Sequence, residues 1–500
     1  MTVRKEVRKG RARFIQILAV RSYAFRATPM NTSHENIVQR VWTLCNILRG
    51  DGISYHQYIS ELTYLLFLKI AEENGAESLL PENYRWKDLV NYKGADLLNK
   101  YQEMLTHLGG HASSKAVRDI YAFPTTVFSH SENLKAVIDG LAKIDWHAIS
   151  KDGIGEIYEG LLAKNSQDTR SGAGQYFTPR ALVDSIVKIV KPKVGETIQD
   201  PAAGSGGFLI SADLFAREHS APEQYKRTPP KYQGVEIEKS TYRICLMNTF
   251  LHAMNADIFL GDALTEDADN LELADVILAN PPFGARAGSR RKRRSDLDIT
   301  TSNKQLAFLQ HIYIGLKPGG RAAVVLPDNV LFEEGSGRKI RQALMDQCDL
   351  HTILRLPQGI FYSAGVQTNV LFFTKGKMDT GNTKTVSYYD MRSGAPRYGR
   401  NRPLSPDDFR DFETTYESRG NRRDLENERW RTFTREEIAS RDDDLNISWL
   451  QPADVLADEA SPDPLIILAT MVDHLRLALD EAEGLSEELS LLIASAEEGA

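Results

Sequence analysis

Cysteine is scarce: Cys45, Cys245 and Cys348 are the only three in 500 residues, far apart and with no CxxC pair. That argues against a disulfide framework or a cysteine zinc site and fits a reducing, cytoplasmic compartment. Long apolar runs are missing. No stretch reaches the ~18 residues that would span a bilayer. The run Leu62 to Ile70 is short and contains Lys69, so it reads as a buried helix. An excess of basic charge is missing as well: 61 Lys and Arg stand against 68 Asp and Glu, a net charge of −7. A surface coated in positive charge is excluded, so any hold on DNA is local or shared with a partner.

What is present suits a large protein of about two to four domains. Residues 1–29 are basic, with Glu6 as their only acid. They read as a disordered extension ahead of Met30, the sharper alternative being a DNA-binding or targeting arm. From 30 to 165 apolar residues recur at helical spacing, as in Ile37, Val41, Leu44 and Leu48, which predicts a helical domain. Residues 166–378 alternate short apolar strands with helices, an α/β catalytic domain. Residues 379–460, rich in Gly, Pro, Arg and Asp, read as a connector. From 461 to 500 the spacing of Leu465, Leu468, Met471, Leu475 and Leu479 predicts an amphipathic tail helix, packed on its own domain or on a partner.

The most informative stretch is Asn280-Pro281-Pro282-Phe283, directly after the strand-like run Ala274 to Ala279. Open α/β folds put their ligands at such strand ends. Pro281 has no N–H, so the backbone there offers carbonyl acceptors, and Asn280 adds another on its side chain. Phe283 adds a flat face on which a base could stack. Together these suit an –NH2 group whose two hydrogens both need acceptors. The exocyclic amine of a nucleobase is a poor nucleophile because its lone pair is delocalised into the ring. Acceptors that hold its hydrogens push the nitrogen toward tetrahedral geometry and free that pair, with no metal needed. The plain alternative is a proline-rich turn after a strand.

Three further stretches line up with it. Gly174 to Arg180 precedes a helix from Ala181, with Thr178 as its cap and Pro179 in its first turn; the helix end suits an anion such as a carboxylate, or is simply a capped helix. Asp200-Pro201-Ala202-Ala203-Gly204-Ser205-Gly206-Gly207-Phe208 is a small-residue turn between the strand Thr197 to Gln199 and a helix. It lacks the GxGxxG of dinucleotide sites and the GK[ST] of phosphate loops, which favours a ligand without phosphates. Glu236 and Asp262 each end a strand, placed for a ribose diol and for an adenine amine. The basic run Arg290 to Arg294 is a solvated loop or a phosphate contact.

Taken in this order, Gly174 to Arg180, Asp200 to Phe208, Glu236 and Asn280 to Phe283 resemble the modification (methylation) subunit of type I restriction-modification systems. Thr301 to Gln305 and Leu326 to Phe332 extend the match, which runs from about Met30 into the tail. The resemblance implies a Rossmann-like S-adenosylmethionine-dependent methyltransferase sheet with an N-terminal all-helical domain and a C-terminal helical tail. It implies N6-adenine methylation of double-stranded DNA, with the target base flipped out of the duplex. By it, Gln175, Tyr176, Phe177, Thr178, Pro179 and Arg180, with Asp200, Gly204, Ser205, Gly206 and Gly207, line the S-adenosylmethionine site. Glu236 would hold the ribose and Asp262 the adenine. Asn280 and Pro281, with Pro282 and Phe283, would form the catalytic turn. The partners implied are a specificity subunit that reads the sequence, a restriction subunit and a second modification subunit, with the tail helix docking the specificity subunit. Cytosine-N4, RNA or protein-amide methylation and a non-catalytic scaffold are the competing readings.

Overall fold

The computed structural model describes residues 32–49, 53, 55–73, 75–144, 146, 151–166, 178–283, 294, 296–361, 367–396, 398, 402–418 and 428–450. The basic stretch 1–29, Gln175 to Phe177, Arg290 to Arg293 and the tail 461–500 lie outside these residues. The longer helices are α1 (Thr32–Arg49), α2 (Tyr55–Glu73), α3 (Gly94–His111), α4 (Ser131–Ala142), α5 (Lys151–Ser166), α6 (Arg180–Val190), α7 (Gly207–Glu218), α8 (Lys239–Leu251), α9 (Lys304–Gly315) and α10 (Ser336–Gln347). The strands are β1 (Thr197–Asp200), β2 (Lys231–Glu236), β3 (Ala256–Leu260), β4 (Ala274–Ala279), β5 (Leu316–Pro327), β6 (Cys348–Arg355), β7 (Thr368–Lys375), β8 (Thr385–Asp390) and β9 (Trp430–Thr434). Among the described residues the chain divides into two compact units, one holding residues up to 177 with 204–206 and 236–260, the other the remainder.

In the first unit α2 is the central element. Every residue from Tyr58 to Ala71 is buried, as an almost uniformly apolar helix must be. Its one inward acid, Glu61, accepts from Thr126 Oγ1 (3.0 Å), the Val127 N–H (2.9 Å) and the Tyr101 hydroxyl. Burial raises its pKa, against the pull of those donors.

The sheet has nine strands in the order β3-β2-β1-β4-β5-β7-β6-β8-β9. β1 pairs in parallel with β2 and β4, and β4 with β5, so these four strands end at one edge. β7 is antiparallel to both β5 and β6. Apart from Asp275, β4 and the last six residues of β5 are apolar and buried, as parallel strands covered on both faces must be. β5 begins earlier than the apolar core Ala322 to Leu326 predicts. Gly320 lies so near β4 that a Cβ would sit 2.9 Å from the Ala274 carbonyl, so only glycine fits there.

The stretch 379–460 corrects the connector reading. It supplies β8, parallel to β6, and β9, antiparallel to β8, with a helix Arg410–Glu417 between them. Gly, Pro and Asp around the short run Thr385 to Asp390 mask it, although five of its six residues are buried.

One arginine ties the strand ends together. Arg392 donates to both oxygens of Asp328 (2.9 and 2.6 Å), to the Leu356 carbonyl (3.1 Å) and to the Thr368 carbonyl (3.0 Å). Asn369 Nδ2 donates to the same Asp328 (2.7 Å). The contacts gather the ends of β5, β6 and β8 and the start of β7. Removing Arg392 leaves the partly buried Asp328 carboxylate without its ion-pair partner, held by the Asn369 amide. Arg392→Ala is therefore expected to destabilise the chain by about 3 kcal/mol in urea unfolding. Arg392→Lys keeps the charge but loses the fork that grips Asp328, so it should recover only part of the loss.

Candidate active site

β4 delivers Asn280 to the edge of the sheet, and the strand stops there because Pro281 and Pro282 have no N–H to continue the ladder. Pro281 is buried, and Pro282 faces solvent. Asn280 Nδ2 donates to Thr178 Oγ1 at 3.0 Å. Asn280 Oδ1 is buried and has no hydrogen-bond partner among the described residues. An unpaired buried acceptor costs about 1–3 kcal/mol, and such an atom marks a place where a donor is expected. With its nitrogen on Thr178, the amide turns its oxygen toward the site. Phe283 meets Phe361, which follows β6, edge to face with ring centroids 6.4 Å apart.

Thr178 therefore does a different job from the helix cap read in the sequence. α6 begins at Arg180 with Pro179 in the cap position, and no side chain caps it. Arg180 Nε turns along its own helix to Asp184 Oδ1 at 3.0 Å, so it serves that helix in the free chain.

β1 ends at Asp200, whose buried carboxylate accepts the Ala202 N–H at 3.0 Å. The turn is pinned again where the Ala203 N–H meets the Val235 carbonyl of β2 at 2.9 Å. Gly204 and Gly206 then take positive φ angles of 54° and 84°, which glycine alone adopts without strain. Gly207 opens α7. Among the residues 204–206 and 236–260, Glu236 Oε2 accepts the Gly204 N–H (2.9 Å) and Oε1 the Glu238 N–H (2.8 Å). Burial pushes its carboxyl up to about 7, aided by the nearby Glu238 charge and opposed by the backbone donors. A carboxylate has room for about four hydrogen bonds, so two such donors leave it able to accept from a ligand. Ile237, next in sequence, is 63% exposed and offers an apolar face beside the acid.

Asp262 sits two residues beyond β3 and is half-buried. Its Oδ1 accepts the Leu264 N–H (2.9 Å), and its own N–H donates to Asp267 Oδ2 (3.0 Å). The described member of the basic run, Arg294, turns inward. It donates to Asp296 Oδ1 (2.8 Å), to the Ala263 carbonyl (3.4 Å) and to His311 Nδ1. Burial, with that guanidinium, drives His311 down to about 3, so the ring is a neutral acceptor. Of the pair of uses read for the basic run, Arg294 fits neither. Sequence reasoning set the proline turn after a strand and the two acids at strand ends, as the structure has them. It missed the Thr178–Asn280 bond, because a hydroxyl-to-amide contact across 102 positions leaves no local pattern.

The arrangement offers acceptors and a flat ring where a polar –NH2 could be held, and among the described residues no group of His, Cys, Asp or Glu is set to bind a metal. No described helix is long and apolar enough to cross a membrane.

Comparison with known proteins agrees with this chemistry. Residues 149–456 match the family described as N-6 DNA Methylase, and residues 37–141 match the HsdM N-terminal domain. The chain is 40% identical to the type I restriction enzyme EcoKI methylase subunit of Escherichia coli K12, over 91% of this chain and 96% of that one. It is equally similar, with the same coverage, to the StySPI methylase subunit of Salmonella potsdam. The crystal structure of the EcoKI M protein, described with the activity EC 2.1.1.72, superposes with a TM-score of 0.50 at 36% identity over 91% of this chain and 96% of that one. A chain from a structure of type I restriction-modification complex assembly superposes with a TM-score of 0.70 at 26% identity, over 92% and 99%. The chain therefore belongs to the methylase subunits of type I restriction enzymes, adenine-specific DNA methyltransferases of the N-6 DNA methylase family.

Proposed function

We propose that the chain transfers a methyl group from S-adenosylmethionine to the N6 amine of an adenine swung out of double-stranded DNA, with Asn280 and Pro281 holding the amine. The observation that carries this is the buried, partnerless Oδ1 of Asn280, aimed by Thr178. When bound, S-adenosylmethionine supplies an electrophilic methyl. The chain's own part is to hold, orient and dry the nucleophile. Asn280 Oδ1 accepts one amine hydrogen and the Pro281 carbonyl the other, which localises the lone pair. Phe283 stacks on the extruded base and offsets part of the few kcal/mol that flipping costs. Gln175 to Arg180 and Ser205 to Gly207 would line the methionine part of the cofactor, and Asp200 and Gly204 would also belong to its site. Glu236 accepts from its ribose diol and Asp262 from its adenine amine.

The same reading gives the chain its partners. A separate specificity subunit recognises the DNA sequence, a second methylase subunit joins it, and a restriction subunit completes the nuclease. The net charge of −7 supports a shared grip on DNA. The setting is cytoplasmic, in keeping with three buried cysteines that form no disulfide among the described residues.

Asn280→Ala removes a transition-state acceptor and should lower kcat by about 10²–10³ with cofactor affinity intact; near-normal turnover contradicts the role. Thr178→Val should lower kcat about tenfold, because the Asn280 amide loses the partner that holds it in place. The pH dependence has a defined sign. Glu236 is largely protonated below about 7, and a diol that donates favours the ionised form. Cofactor affinity, read by calorimetry, should rise between about pH 6 and pH 8 and fall again on acidification. Glu236→Gln should bind weakly with a flat profile. Finally, the isolated chain should methylate DNA poorly until its specificity partner is added; strong site-specific methylation by the chain alone refutes that division of labour.

A further inference from the structure

The turn at Gly204–Gly206 is held from the side by a residue that no motif reading singled out. Asn248, on α8, is fully buried. Its Nδ2 donates to the Ser205 carbonyl at 2.9 Å and also to Glu159 Oε1 on α5. One amide nitrogen has two hydrogens, so both are in use. The two helices come together at a second point one turn away. A Cβ on Gly155 would lie 2.7 Å from the His252 ring, so glycine allows the close approach. Gly155 and Glu159 are four apart, as are Asn248 and His252, and each pair therefore shares one helix face. His252 Nδ1 also meets the Asn248 carbonyl at 2.9 Å, which braces the last turn of α8.

The consequence for the turn follows from the planar trans peptide. In such a unit the C=O and the next N–H point in opposite directions. Tying the Ser205 carbonyl to Asn248 therefore directs the Gly206 N–H away from α8. With both flanking glycines free to rotate, nothing in the turn's own sequence selects that orientation. Glu159 offers a carboxylate oxygen, a stronger acceptor than a peptide carbonyl, and helps to keep the amide from turning over.

We propose that Asn248 is a positioning residue for the cofactor turn, and that Glu159 of the helical domain locks it, so the domain with no catalytic motif sets cofactor affinity. This rests on the assignment of Gly204 to Gly207 to S-adenosylmethionine. Asn248→Asp has the same shape but replaces the donor with an acceptor facing two acceptors. Glu159→Ala removes the lock, whereas Glu159→Gln keeps an acceptor oxygen for Asn248.

The test is calorimetric titration of S-adenosylmethionine into the full-length chain and its variants, with KM for cofactor, KM for DNA and kcat measured in the complex with the specificity subunit. Wild type must bind first; if it does not, the cofactor assignment itself fails. Given binding, Asn248→Asp and Glu159→Ala should weaken cofactor affinity about tenfold, the worth of a hydrogen bond to a charged or buried partner. KM for cofactor should rise in step, while kcat and KM for DNA stay within about twofold. Glu159→Gln should restore affinity to within about twofold of wild type. Unchanged affinity in Glu159→Ala overturns the proposal. So does an equal loss of cofactor binding, DNA binding and turnover, or a Glu159→Gln variant as weak as Glu159→Ala.

Discussion

The hydrogen bond from Asn280 Nδ2 to Thr178 Oγ1 is the constraint on which the site depends. An asparagine amide is nearly symmetric in shape but opposite in polarity at its two ends. If it could turn over, a donor would face the substrate amine and repel it. With the nitrogen end on Thr178, the oxygen end is left as a buried acceptor with no partner among the described residues, which is what the proposed hold on the amine uses. Its desolvation is met in the folded chain before substrate arrives, so little reorganisation is needed when charge develops on the amine.

The rest of the second unit makes that bond possible. β4 is buried from Val276 to Ala279, and its residues cannot shift without disturbing β1 and β5 on either side. The two prolines end the ladder at a definite residue. At the same edge of the sheet, Arg392 gathers the ends of β5, β6 and β8 around Asp328, and its partner carbonyl Leu356 lies shortly before Phe361. Rigid strands with their ends tied are a better platform for a polar constellation than a free loop.

Much of this was legible in the sequence because strand-end turns are local. Ala274 to Phe283 is an apolar run followed by two residues that cannot extend it, and that pattern needs no tertiary information. Asp200 to Gly207, with glycines where positive φ is needed, is local for the same reason. Three things were not legible. Thr178 was read as a cap because hydroxyls before prolines often are, while its partner lies in a distant strand. β8 and β9 were hidden by the polar, glycine-rich segments around them, since a short strand is defined by its neighbours in the sheet. Asn248 carries no motif at all. Its importance lies in two acceptors brought to it from separate parts of the chain.

The most direct test of the central claim is a crystal structure of the assembled complex with a non-transferable S-adenosylmethionine analogue and DNA. The account places the N6 nitrogen of the extruded adenine within hydrogen-bond distance, about 2.7–3.2 Å, of both Asn280 Oδ1 and the Pro281 carbonyl. It also places the Asn280 nitrogen still on Thr178. An adenine seated elsewhere, or an Asn280 amide with its nitrogen toward the base, would contradict it.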